Sequence, residues 1–289
     1  GLFMKIYQSR KNYERKLLIN YQDMFYDITS INPIIKTSLD LMMVSISNNL
    51  NISDYVLKLI QNETGDKNIN FESYLPVDSP EVWAFGVTYA DSMKERQAES
   101  DTPDVYGKVY FADRPEAFFK STLRRLRGPN MTVGIRNDST WDVPEPELTF
   151  IVYQKQIIGF TCGNDMSSRS IEGENPLYIP QAKIFKNSAS IGPCWVPIEC
   201  LNYDNLKVEM VIKRNSEEVF SGTCNTSQMK RKCDELNKWL NQSNDIPDGT
   251  TVMTGTGIIP PMDFTLNQND LVSITIENIG TLINTVEKV

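Results

Sequence analysis

Two apolar runs, Leu148 to Tyr153 and Gln156 to Thr161, follow each other with only a short connection between them. Both are rich in β-branched and aromatic residues that fit a pleated, half-buried surface, so the spacing predicts a β-hairpin. Immediately before the first run stands Trp141-Asp-Val-Pro-Glu-Pro-Glu-Leu148. Its prolines hold the backbone extended, and in an extended chain residues two apart project to the same side. Glu145 and Glu147 therefore point one way, close enough to share a cation, and their repulsion is costly unless a positive charge sits between them. A Glu-x-Glu pair in a proline-containing loop is more often solvated surface. Here the apolar Leu148-Thr-Phe-Ile-Val152 that follows places the pair at the entrance of a buried strand.

A third carboxylate, Asp165, follows the second run in Gly163-Asn-Asp-Met-Ser-Ser-Arg169. The hairpin brings it to the same end of the sheet as the Glu pair. An equally weighted alternative is that Asp165 caps a helix starting near Ser167.

Around this hairpin the chain reads as α+β, with a small N-terminal α+β domain over residues 1–75 and a larger β-rich domain over 76–289. In the first, Met4 to Gln8, Lys16 to Tyr21 and Met24 to Ile28 read as strands. Ile34 to Ile46 has helical spacing, and Ser53 is a candidate cap for a helix running through Ile60. Gln61 to Asn70 reads as a linker. In the second, Leu206 to Lys213, Thr251 to Thr254 and Leu271 to Ile276 read as strands. Ser227 to Leu240 has helical periodicity with Thr226 as candidate cap, and Asp248-Gly249 marks a turn.

The chain has no histidine in its 289 residues. That removes Ser-His-Asp and Cys-His catalysis, His-ligated zinc and any imidazole acid or base. Proton transfers then fall to Lys, Glu, Asp, Tyr or water. The five cysteines are scattered, with no Cys-x-x-Cys pair, which suits buried thiols in a reducing compartment. The net charge of −8 disfavours nucleic-acid and membrane partners, since phosphate neutralisation needs clustered cations. The basic runs Lys120 to Arg127 and Lys230 to Lys232 read as solvated faces. No apolar run approaches the roughly 20 residues that cross a bilayer. The opening Gly1-Leu-Phe-Met-Lys5 lacks a secretory pattern, so a cytoplasmic protein is expected.

Two further motifs bear on chemistry. Lys183, in Tyr178-Ile-Pro-Gln-Ala-Lys-Ile-Phe185, is flanked by apolar residues. A lysine so placed near a divalent cation has its pKa lowered and can act as a base, whereas the commoner situation is a snorkelling lysine on an edge strand. Thr254-Gly-Thr-Gly257 follows a strand, and its small residues let backbone amides approach an anion. It lacks nucleotide-loop spacing, and by itself it indicates a tight turn.

In order and spacing, Glu145-x-Glu147, Asn164-Asp165-x-Ser167-Ser168-Arg169, Lys183 ahead of Gly192-Pro193, and Thr254-Gly-Thr256 resemble the fumarylacetoacetate hydrolase superfamily over residues 80–289. Further stretches are similar to its dehydratase branch, which acts on 2-keto-3-deoxy-D-arabinonate. They are Pro80-Glu-Val-Trp83, Arg114-Pro-Glu-Ala-Phe-Phe-Lys120, Glu174-Asn-Pro-Leu-Tyr178 with Pro180-Gln-Ala-Lys183, Ile246-Pro-Asp-Gly249 and Asn278-Ile-Gly-Thr-Leu282. C–C hydrolases of the superfamily carry a His-Glu dyad where this chain has Gly86-Val-Thr-Tyr-Ala-Asp-Ser92. Dehydration needs no activated water, so the missing histidine agrees with a lyase.

The resemblance implies Glu145, Glu147 and Asp165 as ligands of one Mg²⁺ or Mn²⁺, a hard cation suited to an all-oxygen set. It implies Lys183 as the base that removes a C3 proton, Glu116 as the acid for the C4 hydroxyl, and Thr256 with the Gly255 amide as holders of the substrate carboxylate. A purely structural reading pairs Glu116 with Arg114 or Lys120. The expected reaction converts 2-keto-3-deoxy-D-arabinonate, a small 2-oxo acid, to 2,5-dioxopentanoate in a homodimeric enzyme. Loops such as Ala90 to Gly107 are expected to close over the site and set substrate choice. The rivals are an acylpyruvate-type hydrolase or oxaloacetate decarboxylase of the same superfamily, and a non-catalytic sugar-acid or metal-binding protein.

Overall fold

The computed structural model describes residues 2–289, so Gly1 lies outside the described residues. Strand Pro146–Tyr153 is buried along its whole length. Its Phe150 and Val152 pack with Phe160, Val208, Met210 and Ile274. Its Ile151 and Tyr153 pack instead with Ile6, Leu17, Leu41, Val56 and Trp195. Successive strand side chains face opposite ways, so this strand is the shared wall of two cores. Each fully buried Ile, Leu or Phe contributes about 1.5–3 kcal/mol, and both faces must therefore be covered.

The covering layers make the fold α+β. On one side lies a five-stranded sheet in the order Glu217–Asn225, Lys207–Arg214, Leu271–Ile276, Gly280–Lys288, Thr132–Ile135. On the other, helices Ser38–Ser47 and Ile52–Ile60 bring Leu41 and Val56 onto the central sheet. That central sheet has ten strands. Its order is Met24–Asp27, Glu14–Tyr21, Met4–Lys11, Ala189–Pro197, Gln156–Asp165, Pro146–Tyr153, Thr251–Met253, Glu81–Gly86, Glu116–Thr122, with Leu126–Arg127 pairing beside Ala189–Pro197. The N-terminal strands extend it through Ile6 opposite Trp195.

The expected hairpin is present and tighter than its sequence suggests. Gln154 and Lys155 close it, with φ of 47° and 65°. Positive φ at both positions matches the right-handed twist of the flanking strands. The same pair of positive φ values recurs at Asn12-Tyr13, Gln22-Asp23 and Asn215-Ser216. Asp248-Gly249 turns as expected, with Gly249 at φ 85°.

Several sequence boundaries are corrected. The first long helix starts at Ser38 rather than Ile34, because Thr37 and Asp40 form a reciprocal capping box. Asn51, not Ser53, caps helix Ile52–Ile60. The Ser53 amide and hydroxyl instead both donate to Glu199, at 2.8 Å. The stretch from Ser227 to Leu240 is not one helix: a 3₁₀ turn, Thr226–Gln228 capped by Asn225, precedes helix Cys233–Asn241. Ala90 to Gly107 is not a loop but falls in helices Ala90–Glu99 and Pro103–Phe111. Among the described residues no helix is long and apolar enough to cross a membrane.

Topology gathers the chemistry at one edge. Pro146–Tyr153 runs antiparallel to Gln156–Asp165 and to Thr251–Met253, which is parallel to Glu81–Gly86, itself antiparallel to Glu116–Thr122. The start of Pro146–Tyr153, the ends of Gln156–Asp165, Thr251–Met253 and Glu81–Gly86, and the start of Glu116–Thr122 therefore converge. These ends carry Glu147, Asp165, Gly255, Gly86 and Glu116.

Candidate active site

Glu145 and Asp165 face each other across the strand pair. The Glu145 amide donates to the Asp165 carbonyl at 3.1 Å, and the Asp165 amide to the Glu145 carbonyl at 2.9 Å. Asp165 ends strand Gln156–Asp165 and is not a helix cap; Ser168 caps helix Arg169–Glu174 through the Ile171 amide. With Glu147, two residues along, the three carboxylates place one oxygen each within 4.8 Å of one another, all buried. This is the cluster expected from the sequence.

Three anions held this close need cations, and the surrounding residues supply them. Lys183 Nζ donates to Glu145 Oε2 at 2.9 Å, Asp165 Oδ2 at 3.2 Å and Ser167 Oγ at 2.5 Å. Arg169 Nη2 lies 2.9 Å from Glu145 Oε1. Burial works against the Glu145 charge, but Lys183 and Arg169 outweigh it and hold this carboxyl well below the usual range. Glu147 has no such partner. Burial, then the charges of Asp165 and Glu145, push it well above the usual carboxylate value, although the Gly255 amide donates to its Oε2 at 2.8 Å.

The donor set fits a hard divalent cation. All three groups are oxygen donors, Glu147 lacks a counter-charge, and Asp165 Oδ1 is buried without an aligned hydrogen-bond donor. Lys120 Nζ is 2.7 Å from that oxygen, but from a direction outside hydrogen-bond geometry.

Lys183 ends the short helix Ile179–Lys183 and is buried, so it is not the snorkelling lysine of an edge strand. Burial lowers its pKa, but the carboxylates of Asp165, Glu145 and Glu172 more than reverse this, and it is raised overall. The lowered value expected from the sequence thus does not hold here. Its ammonium also lies 5.4 Å from the centre of the Phe118 ring.

Glu116 pairs with neither Arg114 nor Lys120. Its two oxygens meet the two terminal nitrogens of Arg96, each at 3.3 Å. Arg114 lies over the Trp239 ring instead. Arg96, on helix Ala90–Glu99, also reaches Glu172 at 2.7 Å and stacks over Tyr106. Gly86 makes room for this pair, since a Cβ there would meet both Glu116 and Arg96.

Gly255 and Thr256 divide their tasks. The Gly255 amide is committed to Glu147, so it holds a carboxylate of the cluster. Thr256 lines the cleft, with its hydroxyl bonded to Ile258 and its carbonyl accepting from Ser92. Gly255 has φ 97°, and a Cβ there would collide with the Thr88 hydroxyl. Gly255→Ala is expected to cost about 1–3 kcal/mol and to loosen Glu147, read as a lower Tm together with weaker Mg²⁺ binding.

The cleft between Phe85, Phe118, Ser92, Arg96, Thr256 and the carboxylates is narrow, with a cavity volume of about 20 Å³. Two sequence readings change here. Lys120 is wholly buried beside Asp165, and Arg231 is buried while donating to the carbonyls of Val109, Ala112 and Asp113. Neither belongs to a solvated face. Sequence reasoning also missed Arg96 and Glu172, whose long-range pairing leaves no local pattern.

Residues 81–287 match the family described as fumarylacetoacetate (FAA) hydrolase C-terminal. The chain belongs to the fumarylacetoacetate hydrolase family. A relative from Haloferax volcanii, a probable 2-keto-3-deoxyxylonate dehydratase, is 42% identical over 99% of this chain and 100% of its own. The 2-dehydro-3-deoxy-D-arabinonate dehydratase of Saccharolobus solfataricus is 42% identical over 74% of each chain. A solved structure of 2-keto-3-deoxy-D-arabinonate dehydratase, complexed with magnesium and 2,5-dioxopentanoate, superposes with a TM-score of 0.81 at 33% identity over 99% of both chains. The fumarylacetoacetate hydrolase family assignment agrees with the fold and with the carboxylate cluster found at its sheet edge.

Proposed function

We propose that this chain is a magnesium-dependent dehydratase that converts 2-keto-3-deoxy-D-arabinonate to 2,5-dioxopentanoate. The observation that carries the reading is the buried trio Glu145, Glu147 and Asp165 with the Lys183 amine on two of its members. The relatives named above support the substrate. D-arabinonate and D-xylonate differ only at centres erased by oxidation at C2 and loss of the C3 hydroxyl. In the D series the relatives' substrates are therefore one compound, with C4 as its stereocentre.

A magnesium ion held by Glu145, Glu147 and Asp165 supplies their counter-charge and, as a Lewis acid, acidifies C3 of a bound 2-oxo acid. Lys183 becomes a base once another cation meets the charge of Glu145 and Asp165, and its amine then takes a proton from C3. The C3–H electrons form the C3–C4 double bond as the C4–O bond breaks. Glu116 donates a proton to the departing hydroxyl, which leaves as water, after substrate has displaced Arg96 from one carboxyl oxygen. Tautomerisation gives 2,5-dioxopentanoate. Thr256 holds the substrate carboxylate, and Phe85 and Phe118 keep bulk water from the reacting carbons.

Catalysis resides in the unit we assign to residues 76–289, with residues 1–75 as the smaller unit. A cytoplasmic homodimer, supported by the family resemblance, completes the reading, and sedimentation velocity tests the dimer. The enzymatic test is trapping of the product aldehyde from Mg²⁺-loaded protein and 2-keto-3-deoxy-D-arabinonate. Signal is expected from the wild type and none after chelation or in Glu145→Ala. Signal that persists with chelator counts against the metal site.

A further inference from the structure

We infer that Lys120 is a positioning residue that ties the metal ligand Asp165 to the main chain carrying Lys183; this inference rests on the dehydratase reading above. Lys120 lies within strand Glu116–Thr122, and none of its surface reaches solvent. A buried ammonium persists only where its donors meet acceptors. Its two aligned hydrogen bonds go to the carbonyl of Met166 at 2.7 Å and the carbonyl of Lys183 at 2.6 Å. It also makes a Coulombic contact with Asp165 Oδ1, at 2.7 Å.

Each of these acceptors belongs to one of the two segments that build the site. Asp165 and Met166 are where the hairpin's second strand ends, and Lys183 is the last residue of helix Ile179–Lys183. The strand end and the helix end have no reason in local sequence to sit at a fixed distance. Lys120 sets that distance from a third element, Glu116–Thr122.

The two lysines on Asp165 differ in kind. Lys183 sits at Oδ2, bonds only side chains and lines the cleft. Side-chain pairs of this sort can exchange when substrate or cation enters. Lys120 sits at Oδ1, is tethered to two main-chain carbonyls and is outside the cleft lining. Main-chain tethers do not exchange as side chains move. Lys120 thus stays on Asp165 while Lys183 leaves it, and the carboxylate keeps its orientation through that change. Groups that orient ligands from behind commonly contribute strongly to metal affinity.

The variant that tests this is Lys120→Met, similar in length but without the charge and donors. Calorimetric titration of Mg²⁺ alone into the stripped, folded protein is the first readout. Binding is expected to weaken by about 10- to 100-fold. The second readout is kcat at saturating Mg²⁺, expected to stay depressed while KM for the sugar acid is little changed. Should Lys120→Met fail to fold, Lys120→Arg keeps the charge but sets a larger planar fork where a point ammonium meets two carbonyls and Asp165, and changes in the same direction are expected. A folded variant with wild-type Mg²⁺ affinity and kcat overturns the inference. So does tighter Mg²⁺ binding, the sign expected if Lys120 acts only as a nearby repelling cation. Absence of water loss in the wild type would instead remove the dehydratase reading, and the Mg²⁺ titration would still decide the part played by Lys120.

Discussion

Lys183→Met is expected to lower kcat by about 10³-fold or more while the folded protein still binds Mg²⁺. A positioned general base contributes roughly 10²- to 10⁴-fold, and with no histidine in the chain no imidazole can take over. The substitution also removes an ammonium from Glu145 and Asp165, at 2.9 and 3.2 Å. In the absence of that internal cation the three carboxylates attract Mg²⁺ at least as strongly as before. Loss of turnover with retained or tighter Mg²⁺ binding separates Lys183 as base from Lys183 as mere counter-ion. Calorimetric titration of Mg²⁺, beside single-turnover kinetics, reads both. A variant that loses Mg²⁺ binding would make Lys183 a structural part of the cluster.

Glu147→Gln is expected to abolish Mg²⁺-dependent turnover, since it breaks the ligand set; the loss is about 4 kcal/mol of transition-state stabilisation, roughly a thousandfold. The same change is expected to raise the Tm of the metal-free protein. Burial, then Asp165 and Glu145, raise the Glu147 pKa above its ordinary 4.5. A carboxyl raised in the fold binds its proton more tightly folded than unfolded. Its contribution to stability is therefore lost as pH climbs from the unfolded value through the folded one. Metal-free wild type should lose Tm over that rise more steeply than Glu147→Gln. Added Mg²⁺ should restore wild-type Tm by mass action and leave the variant unchanged. Thermal unfolding across pH, with and without Mg²⁺, checks each part. Equal pH slopes in the two proteins would contradict the placement of Glu147 beside the charges of Asp165 and Glu145 with no ion-pair partner of its own.

The sequence is legible where chemistry and backbone geometry coincide. Pro144 and Pro146 flank Glu145 and Glu147 on an extended segment, so the direction of both carboxylates follows from dihedral constraints alone. Asp165 needed the hairpin as well, and the hairpin is encoded by apolar runs on either side of a two-residue turn. The turn itself was harder to place, because Gln154 and Lys155 carry no glycine or asparagine to advertise positive φ. The caps Thr37 and Asn51 lie a few residues from the positions read in the sequence, since several Ser, Thr and Asn residues compete locally for one cap.

The charges behind the cluster were not legible. Lys120 and Arg124 stand in one basic run, yet the first is buried and the second exposed. What separates them is the partner: Asp165, Met166 and Lys183 reach Lys120 from far along the chain. Arg96 is the same case, inside a stretch read as a loop and held by Glu116 and Glu172. Periodicity reports which face of an element is apolar; it carries no information about a cation whose counter-charges arrive from other elements.

The most direct measurement is mass spectrometry of the products formed by Mg²⁺-loaded wild type from 2-keto-3-deoxy-D-arabinonate, with oxaloacetate and an acylpyruvate as parallel substrates. The expected result is a single product one water lighter than the sugar acid, absent with chelator and with Lys183→Met, and no turnover of the other two. Pyruvate released from oxaloacetate or from the acylpyruvate, with the sugar acid unchanged, would contradict the dehydratase reading while leaving the three-carboxylate metal site in place.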